Sequence, residues 1–217
     1  MKILRAKSFV DMNGNENLID AIILLIKGYR AADAMADKKR KDAYKYLVCQ
    51  SIRQYVSPSD HYHVSVKAKE LWDKLTTQEI GKFFYRDMVT CDRLESPITV
   101  AKYTGAGRDG EMEVLEPNGQ FPFNDLFQCD HVVPVAFIFN KLMNTPVEVL
   151  SSDYVKSTLD DMHLCRITKE EDFAIGRTKN RSLSFMDTIT NGAYKHIDLV
   201  EDDYLKENGY KQSHPSL

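Results

Sequence analysis

The sequence predicts an α+β protein: a helical N-terminal region over residues 1–95, then a mixed strand-and-helix domain over 96–217. Three observations carry this. Apolar residues recur at helical spacing through residues 16–56. The character changes near Pro97, where ITVAKYTG is β-branched and aromatic. Beyond it, strand-like and helix-like segments alternate, first in FQCDHVVPVAFIFNKLM and then in MHLCRITKEEDFAIG.

In the first region Leu18, Ile19, Ile22, Ile23, Leu25, Ile26 and Tyr29 recur at helical spacing, and AADAMADKKRKDAYKYLVCQSIRQYV continues it. Asn15 or Asn17 suits the start as a cap, and Ser57-Pro58-Ser59-Asp60 breaks the run. VKAKELWDKL and TTQEIGKFFYRDM predict further helix. Thr76-Thr77-Gln78-Glu79 resembles a capping box at the head of the second. A second strand is expected at Glu111–Leu115, within a turn-rich stretch. FQCDH reads as a strand, and Pro134 ends its pairing. Val135, Phe137, Ile138 and Leu142 then take helical spacing. MHLCRI predicts a strand over 162–167. Thr168-x-x-Glu171 opens a helix over 169–175, and Gly176 closes it. The tail from Ser182 fits either a strand or a helix.

Bulk properties bound the function. The chain has 217 residues, 43% hydrophobic and 28% charged, which suits an ordinary globular core. Its formal net charge of -3 does not announce a nucleic-acid partner, so any such contact must come from a local patch. Lys27 to Arg53 holds eight Lys/Arg against three Asp, the strongest local excess, although a solvated helix face explains it equally. No C-x-x-C pair joins Cys49, Cys91, Cys129 and Cys165, which argues against a zinc ribbon. MKILRAKSFVDMNG lacks the apolar core of a signal peptide, and the apolar run Ala21–Ile26 is too short to cross a bilayer. A cytoplasmic protein with reduced thiols and no membrane partner is expected.

The chemistry concentrates at Asp130-His131. Neighbouring side chains on a strand face opposite ways, so the two can serve different partners. A carboxylate suits a hard divalent cation, and an imidazole suits proton abstraction near neutral pH. Phosphodiester hydrolysis needs both: a base for water and a cation for charge on the phosphate. A second ligand must come from elsewhere, and Glu170-Glu171-Asp172 opens the helix after the next strand.

CDHVVPVAFI followed by HLCRITKEEDFAIGR resembles the HNH, or ββα-metal finger, nuclease family over residues 123–177. The family pattern is a D-H-hydrophobic-hydrophobic-P strand, a second strand entered by Asn, and a helix bearing a metal ligand. His163 stands where the family has Asn, and Asp172 falls on the helix ligand. The resemblance implies His131 as the general base supported by His163. It implies one Mg²⁺ or Mn²⁺ on Asp130 and Asp172, with Glu171 or Glu170 as the alternative ligand. Arg166, Lys169, Arg177, Lys179 and Arg181 would contact phosphates. The expected substrate is DNA, in duplex form, with RNA also open to this chemistry, and a homodimer follows from two cuts needing two sites.

Other readings stay open. The same finger would serve a nucleic-acid-binding module without catalysis, or an RNA-cleaving toxin. Asp130-His131 also reads as a plain strand end, and the three acids as partners of a helix dipole. His163 also reads as a core histidine. His61-Tyr62-His63 has a metal-capable spacing, but the simpler account is a loop with incidental histidines. Cys129 and Cys165 read as small buried residues. Trp72 and Phe83-Phe84-Tyr85 read as core. Gly105-x-Gly107-x-x-Gly110 opens no helix, so a nucleotide fold is not expected.

Overall fold

The computed structural model describes residues 15–55, 63–83, 86–102, 111–160, 162–175 and 181–204. It is a mixed α+β chain, as expected. It divides into two compact units: Met1–Ser57 with Val133–Met162, and Pro58–Val132 with His163–Leu217. The division therefore falls elsewhere than residue 95, because strands from both halves of the sequence pair in one sheet and the segment 133–162 joins the N-terminal helices.

The first unit is helical: α1 (Asn15–Ala34), α2 (Lys38–Gln54), α5 (Val135–Asn144) and α6 (Ser152–Leu159). The periodic run 16–56 is two helices, not one. Ala36 takes a positive φ of 53°, and Asp37 then caps α2 by accepting from the Arg40 amide at 3.1 Å. Ile19, Ile22, Ile26, Val48, Ile52, Ile138, Leu142, Val155 and Leu159 are buried. Gly28 permits the close approach of α1 and α2, since a Cβ there would meet the Tyr44 ring at under 3.0 Å. Arg30 Nη2 donates to the carbonyls of Leu142 and Met143 at 3.0 Å, and to that of Thr145. It thereby satisfies the exposed acceptors at the C-terminal end of α5.

Tyr55 closes this unit below α2. Its buried hydroxyl donates to Asp160 Oδ1 at 3.0 Å. Burial first, and the Asp160 charge second, push the phenol well above its ordinary value. The sign follows from linkage: with the folded pKa raised above the unfolded value near ~10, stability is complete below that pH and is lost as pH rises past it. The melting temperature is expected to fall above pH ~10, and to fall less steeply in Tyr55→Phe, which cannot ionise. An identical alkaline decline in the two proteins would refute this assignment.

The second unit holds a four-stranded sheet in the order β6-β7-β1-β8, formed by β1 (His63–Ser65), β6 (Phe127–His131), β7 (Leu164–Thr168) and β8 (Leu199–Glu201). β6 and β7 are antiparallel, β7 and β1 parallel, and β1 and β8 antiparallel. β7 is buried along its whole length, as a central strand should be. Two ribbons accompany it: β2 (Met88–Thr90) with β5 (Gln120–Pro122), and β3 (Ile98–Lys102) with β4 (Glu111–Leu115). The core gathers on α3 (Val66–Leu75). Trp72 packs on Phe83, Phe123 and Phe127 at 5.1–5.9 Å between ring centroids, and its indole N–H donates to the Gln78 carbonyl at 2.6 Å. The short helix α4 (Phe123–Leu126) leads into β6.

Several expectations are corrected here. TTQEIGKFFYRDM forms no α-helix among its described residues. Thr76 is the C-cap of α3, only Ile80–Lys82 makes a 3-10 turn, and the chain then enters β2. The apolar spacing was helical, but Trp72, Phe83 and the sheet claimed those side chains first. The N-terminal 95 residues also contribute β1 and β2, so they are not wholly helical. His63 begins β1 rather than lying in a loop, while His61 and Tyr62 lie outside the described residues, as do Phe84, Tyr85, Gly105, Gly107, Gly110 and Gly176. No helix among the described residues is long and apolar enough to cross a membrane.

Candidate functional site

The site is built at the end of β6. Asp130 pairs with Cys165 and His131 with Leu164 across the antiparallel ladder, and the Val132 amide donates to the His163 carbonyl at 3.0 Å. Val132 and Val133 are fully buried and anchor the strand's exit. α7 (Lys169–Ile175) follows β7 directly and packs on both β6 and β7. α7 begins beside Phe127, where Thr168 pairs, and Asp130-His131 stands at the other end of β6, with the long connection 133–162 between the strands lying in the other unit.

Asp130 is held from outside the motif. Its Oδ2 accepts from Arg181 Nη1 and from the Tyr194 hydroxyl, each at 2.6 Å. Arg181 Nη1 also donates to the carbonyls of His131 at 2.8 Å and Val132 at 3.3 Å. One guanidinium therefore fixes both the carboxylate and the backbone of the strand end. Its side chain is 1% exposed, against 19% for Asp130. Burial, then the Asp130 charge, raises the Tyr194 phenol well above its ordinary value, so the hydroxyl stays a donor. Asp130 Oδ1 takes no hydrogen bond from the described residues, and the side chain is partly exposed.

The helix side is divided between structure and site. Glu171 Oε2 accepts from Ser65 Oγ at 2.6 Å, the Thr168 amide at 2.9 Å and Thr168 Oγ1 at 3.1 Å. The Glu171 amide donates back to Thr168 Oγ1 at 3.1 Å. That is the capping box read from the sequence, extended to β1 by Ser65, which also caps α3. Glu171 is buried and committed to those bonds. Asp172 is half-buried and Glu170 exposed, so Asp172 is the helix acid better suited to a ligand. Glu171→Ala is expected to cost about 2–3 kcal/mol by leaving buried donors unpaired, and Asp172→Ala less than half of that. Equal losses in urea denaturation would contradict this division.

His163 is buried. Its ring stacks on Phe185, from α8 (Phe185–Thr190), at 3.9 Å and 23°, and His63 stacks on the same phenyl at 5.0 Å and 18°. His131 is half-buried at the strand end. Arg166, expected at a phosphate, is 1% exposed and donates to the carbonyls of Gly81 and Phe83 at 3.0 and 3.4 Å. Its position in the central strand turns its charge inward. Arg181 is likewise interior, bound to Asp130 rather than presented to solvent. Lys169 is half-buried, with Nζ donating to Gln128 Oε1 at 2.6 Å. Arg177 and Lys179 lie outside the described residues. Burial raises the Cys129 and Cys165 thiols, Cys165 strongly, so neither offers a ready thiolate.

Sequence reasoning missed Tyr194 and Phe185, and it assigned Arg181 to phosphate. No local signal marks them, because each lies at least 50 residues from Asp130. Among the described residues, no group of three or more His, Cys, Asp or Glu side chains is arranged to hold a metal ion. A Mg²⁺ ion is commonly held by one or two carboxylates and several waters, so a group of three protein ligands is not a requirement for that ion. No protein-family model matches the chain, and comparisons with curated proteins and with solved structures find no match.

Proposed function

We propose that this protein is a metal-dependent endonuclease of the HNH type that hydrolyses phosphodiester bonds in DNA. The observation that carries the reading is the Asp130-His131 strand end, buttressed by Arg181, on a strand against which the Asp172-bearing α7 packs. His131 takes the proton of the attacking water. Asp130 and Asp172 would hold one Mg²⁺ or Mn²⁺, which when bound would supply charge stabilisation at the phosphate and leaving oxygen. Arg181 and Tyr194 orient Asp130, and the sheet fixes the direction in which His131 leaves the strand. His163, stacked on Phe185, supports His131. Lys169, Arg177 and Lys179 contact the phosphate backbone, and two copies supply two cuts.

The test is digestion of supercoiled plasmid, linear duplex and single-stranded RNA with Mg²⁺ or Mn²⁺, each beside an EDTA control. Metal-dependent nicking or linearisation of DNA is expected. Intact DNA with degraded RNA would move the substrate to RNA, and intact nucleic acid throughout would leave a binding module.

A further inference from the structure

α2 carries six Lys/Arg and a single acid, Asp42, a net of +5 over 17 residues in a chain of net -3. The rest of the chain therefore carries -8. Val48 and Ile52 are buried, which turns the opposite face outward. Lys39, Tyr46 and Arg53 recur every seven residues along that face and Lys38 precedes them in the first turn, while Lys45 lies on the flank toward Val48 and Ile52 with its Nζ 5.7 Å over the Phe139 ring. All five are exposed, Tyr46 at 63%.

This charge is locally unfavourable. The first turn of a helix favours acids, because the backbone dipole is positive there. α2 opens instead with Lys38-Lys39-Arg40-Lys41 and has no acid in its first turn. Asp37 pairs with Arg40 at 3.2 Å, and Asp33 pairs with Lys41 at 2.5 Å. No carboxylate among the described residues pairs with Lys38, Lys39, Lys45 or Arg53. Asp33 and Asp37 offset part of this charge, and the outward cations that no carboxylate offsets depart from local rules in the way functional sites do.

We infer that the outward face of α2 is a docking surface for duplex DNA, gripping the phosphate backbone through Lys38, Lys39 and Arg53 with Tyr46 between them. Lys39 to Arg53 spans about 21 Å of helix, and duplex DNA presents about one charge per 1.7 Å of its axis. The repeated cations match that extended anion. A helix lying on a membrane would present a wide apolar face, whereas this face offers only Tyr46 and Leu47 as large exposed apolar groups. The choice of DNA as occupant rests on the nuclease reading; the basic face does not.

The test is fluorescence anisotropy of the whole chain with a labelled duplex of about 30 base pairs, in EDTA, across about 50–300 mM KCl. Lys38→Glu/Lys39→Glu/Arg53→Glu is expected to weaken binding at least tenfold at about 100 mM KCl and to shrink the slope of log K on log salt by about 3. Glu at positions 38 and 39 complements the helix dipole and offsets the loss of the base in the last turn, so the melting temperature is expected to hold. Lys38→Gln/Lys39→Gln/Arg53→Gln serves as the second variant if it does not. Unchanged affinity and slope, no duplex binding by the wild type, or preference for phosphatidylserine vesicles or single-stranded RNA would each overturn the inference. Wild-type protein that binds in EDTA yet fails to cut with Mg²⁺ would retire the nuclease reading and leave this one standing.

Discussion

His131→Ala is expected to lower metal-dependent DNA cleavage by about 10²- to 10⁴-fold, the range that a positioned general base contributes. The residue ends β6, paired with Leu164, and its carbonyl is fixed by Arg181 at 2.8 Å. Removing the imidazole leaves that backbone contact, the Asp130 bonds and the buried Val132-Val133 exit in place. The melting temperature should therefore move by a few degrees at most, about what one half-buried side chain accounts for. Cleavage is measured in single turnover on plasmid, with melting of both proteins alongside. A variant that cuts like the wild type would remove His131 from the chemistry and favour a strand end with no catalytic role.

Arg181→Ala is expected to be the most damaging change outside the motif, costing about 3 kcal/mol of stability together with cleavage. Removing one partner of a buried ion pair typically costs about 3–5 kcal/mol, and the partial exposure of Asp130 places this pair at the lower end. The variant leaves Asp130 with Tyr194 alone and strips the His131 and Val132 carbonyls of their shared donor. Arg181→Lys keeps the charge but loses the fork that reaches a carboxylate and two carbonyls together, so an intermediate loss is expected. Urea unfolding measures the first effect. A loss under about 1 kcal/mol would show that the strand end stands without this brace.

Much of the fold is legible where local chemistry and packing agree. The strand at 111–115, the helix after Pro134 and the capped helix 169–175 stand where periodicity and capping placed them, and the strand expected over 162–167 starts two residues later, over Leu164–Thr168. Reading fails where a tertiary partner overrides the local pattern. Residues 76–88 lose their helix to the Trp72 core and to β2, and the helix through residue 34 breaks at Ala36 because Asp37 recaps the chain.

By itself the sequence determined the α+β class, the capping box of Thr168 and Glu171, and the adjacency of Asp130 and His131 at a strand end. These are local matters of period, cap and alternation. Only the tertiary structure decided which polar groups face the site. It turned Arg166 inward to the carbonyls of Gly81 and Phe83, committed Glu171 to Ser65 and Thr168, and brought Arg181 and Tyr194 onto Asp130 across 51 and 64 residues. Those contacts are set by strand order and burial. A buried charge must find its partner wherever the chain delivers one.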